Sequence, residues 1–125
     1  MARILIVDDE PVNRLLVKTV LEHAGHEVIE AADASACLRE AQSHLPDLAI
    51  VDLYLPDTSG VELIQKLRRD PKTNAMRIAL YTGSNFDAPV RDFMALNRIT
   101  HVIPKPCEPQ ELIGAVAAAL KAMSP

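Results

Sequence analysis

The sequence has 125 residues, a length that suits one domain with its own buried core. Hydrophobic residues make up 49% and aromatic residues only 3%, which excludes a disordered chain and predicts an aliphatic core. Acids outnumber lysine and arginine by 17 to 13, so the chain lacks the basic surplus expected of a protein that binds nucleic acid directly.

The first half of the chain alternates short apolar runs with amphipathic segments. The runs at 3–7, 26–31 and 47–51 predict strands. A first helix is expected from Pro11 to a stop at Gly25, and a second from a cap at Asp33 to a stop at Pro46. The apolar faces predicted for these two helices consist of Val12, Leu15, Leu16, Val20 and Leu21 in the first and Cys37, Leu38, Ala41 and Leu45 in the second.

The second half continues the same alternation. Strands are expected at 77–82 and 101–103, and a third helix is expected to begin at Gly60 after the turn sequence PDTSG. A fourth helix should contain Val90, Phe93 and Met94, and the last should bury Leu112, Ile113, Val116 and Leu120. Five βα units with short connections predict a single flavodoxin-like, doubly wound (βα)5 domain, with a parallel five-stranded sheet in the order 2-1-3-4-5. The domain is expected to span residues 1–122, with 123–125 as a tail.

Acidic residues follow two of these strands. Asp8 and Asp9 come after the first strand and Asp52 after the third, and the predicted strand order makes these strands neighbours at the point where ligands bind in such sheets. Asp8 could instead serve as the N-terminal cap of the first helix, but capping leaves Asp52 unexplained. Like charges that converge are costly unless a cation compensates, and a carboxylate site with room for water suits Mg²⁺.

Two further polar residues stand at strand ends. Thr82 ends the fourth strand and Lys105 follows the fifth, so both are expected at the rim of the acidic crevice. A hydroxyl and an ammonium beside a cation and carboxylates are suited to holding the oxygens of a phosphoryl group.

With these residues in place, the sequence resembles the receiver domain of bacterial two-component response regulators over nearly its whole length. VDDEP carries the paired acids Asp8 and Asp9, and VDLYLPDTSG carries the D-x-x-x-P-x-x-x-G loop with Asp52 as its aspartate. YTGS carries Thr82, and PKP carries the step from Lys105 to Pro106.

The resemblance implies a metal site and a phosphoacceptor. Asp9, Asp52 and the backbone carbonyl of Tyr54 would bind Mg²⁺ directly, and Asp8 would assist through water. Asp52 would accept the phosphoryl group from a phosphohistidine on a sensor histidine kinase or histidine phosphotransfer protein. Such a domain catalyses only its own phosphorylation and dephosphorylation, so it is not expected to be an enzyme.

The resemblance also implies residues that hold the transferred group. These are Thr82, Lys105 and the backbone N–H of Leu53 or Gly83, with a cis peptide bond before Pro106 to orient the lysine. The new charge would then alter the face made by helix 4, strand 5 and helix 5.

The sequence departs from the family at two positions. The family has Tyr or Phe three residues before the lysine, where Val102 stands here, and a valine lacks the reach of an aromatic switch. Phosphorylation is therefore expected to move 82–85 and the start of helix 4 more than strand 5. Tyr54, two residues after the phosphoacceptor, is bulky and expected to shield the phosphoryl group from water.

Other classes remain as alternatives. A haloacid-dehalogenase-like phosphatase needs a second acid where Tyr54 stands, and a flavodoxin-like flavin carrier needs a phosphate-accepting first loop, which the acids would repel. An interaction module of the same fold that is never phosphorylated stays open.

The cellular location of the chain and the domains or copies it works with are also expectations. Two distant cysteines, Cys37 and Cys107, fit reduced thiols in the cytoplasm, and no apolar run approaches the roughly 18 residues of a membrane span. A fused or separate output domain and a homodimer through helix 4, strand 5 and helix 5 both remain open.

Overall fold

The structure is a computed structural model that describes residues 2–83, 88–99, 101–105 and 107–121. Strands and helices alternate through these ranges, as the sequence predicts. The elements are β1 Arg3–Val7, α1 Pro11–His23, β2 Glu27–Ala31, α2 Ala34–His44, β3 Leu48–Asp52, α3 Gly60–Arg69, β4 Arg77–Thr82, α4 Ala88–Leu96, β5 His101–Pro104 and α5 Pro109–Lys121.

The five strands form one parallel sheet in the order β2-β1-β3-β4-β5. This confirms the predicted flavodoxin-like topology. The register pairs Val7 with Val51, Asp52 with Tyr81, and Thr82 with Pro104. The carboxyl ends of β1, β3, β4 and β5 therefore lie side by side along one edge of the sheet.

Helices cover both faces of the sheet and create two apolar cores. Leu5 and Val7 of β1 pack on the side of α2 and α3, whereas Ile4 and Ile6 pack on the side of α1 and α5. This alternation follows from the two-residue period of a strand, and it makes β1 apolar from Ile4 to Val7. None of the described helices combines the length and the apolar composition that crossing a bilayer requires.

The predicted helix signals act locally as expected. Pro11 is the first residue of α1, and Gly25 follows its end with φ +96°. The Asp33 side chain caps α2 by accepting a hydrogen bond from Ala36 N at 2.8 Å. Ser59 caps α3 in the same way, with its hydroxyl accepting from Glu62 N at 3.2 Å.

Two predicted helix faces were partly wrong. On α1 the predicted Leu21 is buried and the predicted Val20 packs against the core, together with Val17, which was not predicted. The other three side chains expected there are largely exposed: Val12 by 79%, Leu15 by 61% and Leu16 by 52%. The apolar side chains of α1 span a wider arc than the sheet covers. Leu45 was expected to line α2, but it lies past the helix end in a left-handed conformation with φ 47° and is 57% exposed.

Three expectations concern residues outside the described ranges. They are the cis peptide bond before Pro106, the movement of 84 and 85 on phosphorylation, and the tail at 123–125. These stay predictions.

Candidate functional site

Three carboxylates meet at the carboxyl edge of the sheet. Asp8 directly follows β1 and Asp52 is the last residue of β3, which pairs with β1. Asp8, Asp9 and Asp52 each offer one carboxylate oxygen, and these oxygens all lie within 4.8 Å of one another. Asp8 and Asp52 are buried, whereas Asp9 is exposed at the mouth of the cluster.

Both carboxylate oxygens of Asp52 are held from different sides. Tyr54 N donates to Oδ1 at 3.1 Å, and Lys105 Nζ donates to Oδ2 at 2.8 Å. Burial disfavours the charged form of Lys105, but its contacts with Asp52 and Asp8 outweigh this effect, so the pKa of Lys105 is raised above its ordinary value. The site thus keeps a full positive charge beside the expected phosphoacceptor.

The carboxylate of Asp8 is only half satisfied. Its Oδ1 accepts a hydrogen bond from Glu10 N at 2.9 Å. Its Oδ2 lies 3.1 Å from Lys105 Nζ, within ion-pair distance, but it accepts no hydrogen bond of good geometry from the described residues. The N-terminal cap of α1 is Glu10 rather than Asp8, so helix capping does not account for this buried acid.

Asp9, Glu10 and Asp52 border an open cavity of about 370 Å³. The remaining walls come from Tyr54, Thr82, Gly83 and Lys105. Thr82 is buried at the end of β4, and its backbone carbonyl accepts a hydrogen bond from Lys105 N at 3.2 Å, which links the two strand ends. Tyr54 is 68% exposed and lines the cavity. Seven of the predicted site residues meet at this edge: Asp8, Asp9, Asp52, Tyr54, Thr82, Gly83 and Lys105. Val102 packs against the core instead, and Pro106 lies outside the described residues.

The loop between β3 and α3 is closed by short-range contacts. Gly60 N donates to Leu53 O at 2.7 Å, and Tyr54 and Ser59 form an antiparallel bridge. The loop therefore returns on itself directly after Asp52. This fixes the backbone of Leu53 and Tyr54, whose N–H and carbonyl groups the family resemblance implies as ligands.

Asp57 ties the same loop to the N-terminus of α2. Its Oδ1 accepts from Ala34 N at 2.9 Å, and its Oδ2 accepts from Ser35 N at 3.2 Å. The hydrogen bond from Ala34 is the largest influence on this carboxyl and lowers its pKa below the ordinary value of 3.8, although slight burial opposes the shift. The charge also lies favourably near the positive end of the helix.

We expect Asp57→Ala to lower the thermal unfolding midpoint near pH 7 and to have less effect in acid. Because the folded pKa lies below the unfolded one, the stabilisation is fully present above the unfolded pKa, near 3.8, and is lost as pH falls through the folded pKa. Unfolding midpoints of both proteins across this range measure the difference. Asp92→Ala, which removes an exposed acid from α4, is the control and should change the midpoint little. A deficit in Asp57→Ala that stays constant into strong acid would contradict the linkage.

Sequence reasoning missed two side chains that shape the site. Arg14 Nη1 donates to the backbone carbonyl of Asp8 at 2.8 Å, and Lys105 Nζ lies 4.9 Å from the centroid of the buried Tyr81 ring. The position of Arg14, one turn into a helix that follows the acids, was a usable signal. Tyr81 gave none, since an aromatic residue in a buried strand is ordinary core material.

Known proteins share the fold that carries this group of residues. The sequence profile of the response regulator receiver domain matches residues 4–117. The chain is 34% identical over 122 residues to the phosphate regulon transcriptional regulatory protein PhoB of Pseudomonas aeruginosa, covering 98% of this chain and 53% of that protein. It therefore spans about half the length of such curated relatives.

Solved structures agree. The chemotaxis protein CheY4 of Vibrio cholerae superposes with a TM-score of 0.88 at 28% identity, covering 95% of this chain and 98% of that one. A CheY-like response regulator receiver domain protein from Methanospirillum hungatei gives a TM-score of 0.87 at 30% identity, covering 97% and 94%. The chain belongs to the receiver domain family of two-component response regulators.

Proposed function

We propose that this receiver domain, expected to span 1–122, accepts a phosphoryl group on Asp52 from a phosphohistidine of a sensor histidine kinase or a histidine phosphotransfer protein. The observation that carries the proposal is the Asp52 carboxylate itself. It borders an open cavity, a lysine ammonium holds one of its oxygens, and two further acids stand beside it. Such a group is a nucleophile that a phosphorus atom can approach from solvent.

The residues present fit a divalent cation. The buried Asp8 Oδ2 is short of a hydrogen bond, and three carboxylates lie within reach of one ion. Carboxylate and carbonyl oxygens with room for water suit Mg²⁺. Asp9, Asp52 and the Tyr54 carbonyl would hold it directly and Asp8 through water. When bound, the cation offsets the negative charge of the transferring group.

The chain's own residues have separate tasks in the transfer. Asp52 attacks phosphorus, and Lys105 moves from the Asp52 carboxylate to an oxygen of the transferred group. The Thr82 hydroxyl and the N–H of Leu53 or Gly83 donate to the other oxygens. Tyr54 stands at the solvent side of this cavity, where its ring would slow attack by water and lengthen the life of the acyl phosphate.

The output face would follow from the link between Thr82 and Lys105. A Thr82 hydroxyl drawn to the phosphoryl group would shift the backbone at the end of β4 and the start of α4. Val102 packs in the core on the side of α2 and α3, so β5 would change little. The altered face of α4, β5 and α5 is the surface for an output domain, fused or separate, or for a second copy of the chain. PhoB is named as a transcriptional regulator, which makes a fused output domain a fitting setting.

This role involves no turnover of a separate substrate and takes place in the cytoplasm, where two unpaired cysteines stay reduced. The phosphatase alternative lacks the second acid it needs, because Tyr54 occupies that position. The unphosphorylated interaction module is weakened by the retained set of acids and lysine at one cavity.

Incubation with a small phosphodonor and Mg²⁺ separates these functions. A receiver should gain one hydroxylamine-sensitive adduct of about 80 Da, the mass of a phosphoryl group. A phosphatase would consume the donor continuously without retaining an adduct, and an interaction module would do neither. Intact mass and donor turnover, measured in the same sample, distinguish the three results.

The metal assignment makes its own prediction. Asp9→Asn should weaken Mg²⁺ binding by at least about tenfold, since even outer-shell partners of metal ligands contribute that much. Emission from Tyr54 reports binding, because the chain has no tryptophan and Tyr54 borders the cavity. Asp47→Asn is the matched control: it makes the same charge change at the opposite end of β3. Equal affinities for the two variants would place the cation elsewhere.

A further inference from the structure

The Lys105 ammonium, expected at the rim of the acidic crevice, has an aromatic neighbour in addition to two acids. Its Nζ lies 2.8 Å from Asp52 Oδ2 and 3.1 Å from Asp8 Oδ2. It also lies 4.9 Å from the centroid of the Tyr81 ring, within the range of a cation–π interaction. The ring is fixed in place because β4 lies between two strands and the residue is buried. Tyr81 pairs with Asp52 of β3 on one side and with Ile103 of β5 on the other, and it is only 4% exposed.

The ring borders the space into which Lys105 could otherwise turn. A cavity of about 280 Å³ lies beside it, lined by Asn13, Leu16, Tyr81, Lys105 and Cys107. A lysine has a flexible four-carbon stem, so an ammonium without a fixed neighbour on this side could leave the acids for that cavity. Burial raises the pKa of the Tyr81 hydroxyl above its ordinary value, so the ring that Lys105 faces is a neutral phenol.

We propose that Tyr81 is a positioning residue for Lys105. The face of the Tyr81 ring keeps the Lys105 ammonium at the mouth of the acidic cluster while the anionic partner of the ammonium changes. The inference rests on the proposed phosphoacceptor function of Asp52. Before transfer, Lys105 pairs with the Asp52 carboxylate, and afterwards that carboxylate is part of an acyl phosphate. The ring is the one of these three neighbours that carries no negative charge and takes no part in metal binding, so its hold on the ammonium is the same in both states.

The chemistry leaves Tyr81 and Lys105 unchanged. An Asp52 oxygen forms a bond to phosphorus, the bond from phosphorus to the donor's nitrogen or oxygen breaks, and its electron pair departs with the donor. Lys105 stays protonated and contributes only its charge and hydrogen bonds. A ring that confines the ammonium therefore affects how often Lys105 is in place when phosphorus arrives, which is a rate effect.

Two variants separate the effect of the ring face from the effects of the hydroxyl and of side-chain size. Tyr81→Phe keeps the ring, and Tyr81→Leu keeps an apolar side chain without one. With a small phosphodonor at saturation, adduct formation in Tyr81→Phe should stay within about twofold of the native rate, and in Tyr81→Leu it should fall about five- to tenfold. Mg²⁺ affinity should change less than about twofold in either, because neither variant alters a carboxylate.

A spectroscopic measurement tests the contact without relying on transfer. The ε-methylene protons of Lys105, assigned by their loss in Lys105→Ala, should be shifted upfield by the ring in the native protein and in Tyr81→Phe. The shift should vanish in Tyr81→Leu. Thermal unfolding establishes that each variant is folded, and if Tyr81→Leu is not, Tyr81→Met takes its place as the variant without a ring.

The outcomes distinguish this inference from the function on which it rests. If the native protein takes no phosphoryl group, the proposed function fails, and the ring shift still decides the contact. If the native protein and Tyr81→Leu react equally fast, Tyr81 has no positioning role and the function stands. Equal slowing in Tyr81→Phe and Tyr81→Leu would assign the effect to the hydroxyl and overturn the inference, as would an ordinary chemical shift for Lys105 in the native protein.

Discussion

Asp52→Ala should abolish the phosphoryl adduct. The substitution removes the carboxylate that stands at the open cavity with Lys105 on one oxygen. Asp8 cannot replace it, since that side chain is fully buried behind the lysine. Asp9 is exposed but is not paired with Lys105 in the described structure, so it lacks the positive charge that favours attack on phosphorus. Intact mass after incubation with a small phosphodonor and Mg²⁺ measures the result.

Loss of the adduct in this variant should not come from unfolding. Removing one of three clustered acids relieves repulsion, and Lys105 keeps its ion pair with Asp8. We therefore expect a thermal unfolding midpoint close to the native value. Asp92→Ala, in which an exposed acid of α4 is lost, should form the adduct at the native rate. A hydroxylamine-sensitive adduct that persists on Asp52→Ala would refute the assignment.

Gly60→Ala should lower the free energy of unfolding more than most substitutions that add one methyl group to this chain. A Cβ on Gly60 would lie 2.5 Å from the backbone oxygen of Asp52 and 2.7 Å from Leu53 Cα. These are backbone atoms that no side-chain rotation can move away, and Gly60 N also donates to Leu53 O at 2.7 Å. We expect a loss of about 3 kcal/mol in the free energy of unfolding, at the upper end for overpacking. Urea denaturation measures it.

The same substitution at Gly114 is the matched control. Gly114 is exposed within α5, and a Cβ there would meet no atom within 4 Å. Gly114→Ala should therefore raise the free energy of unfolding by roughly 0.5–1 kcal/mol through helix propensity alone. Folded Gly60→Ala should also accept the phosphoryl group more slowly, because relief of the clash displaces Asp52. A Gly60→Ala protein as stable as the native one would show that the loop gives way without cost.

Local patterns in the sequence were sufficient for the fold. Apolar runs such as 3–7 and 77–82 marked strands, and Pro11 and Asp33 marked helix starts, because hydrophobic period and capping chemistry act within a few residues. The alternation then permitted few topologies, and the strand order placed Asp8 and Asp52 together. The position of the acidic cluster thus followed from the sequence.

The buried face of α1 could not be predicted from the sequence. A helix with apolar residues over a wide arc has several faces it could bury, and periodicity alone cannot choose between them. Packing on the sheet selected Val17 and Leu21 and left Val12, Leu15 and Leu16 exposed. Leu45 was misplaced for a related reason, since the helix ended before it, at His44.

The details of the site were decided by contacts between residues far apart in the chain. Asp57 accepts a hydrogen bond from the first residue of α2, 23 positions away, and Lys105 reaches Asp52 across 53. Whether Asp8 Oδ2 receives a hydrogen bond, and whether the Tyr81 ring lies under the lysine, depend on strand register and side-chain direction. The sequence by itself determined which residues stand at the strand ends, because that is a local property of the chain. The tertiary structure alone decided which of their atoms meet, because a shift of one residue in the pairing of two strands turns every side chain to the other face.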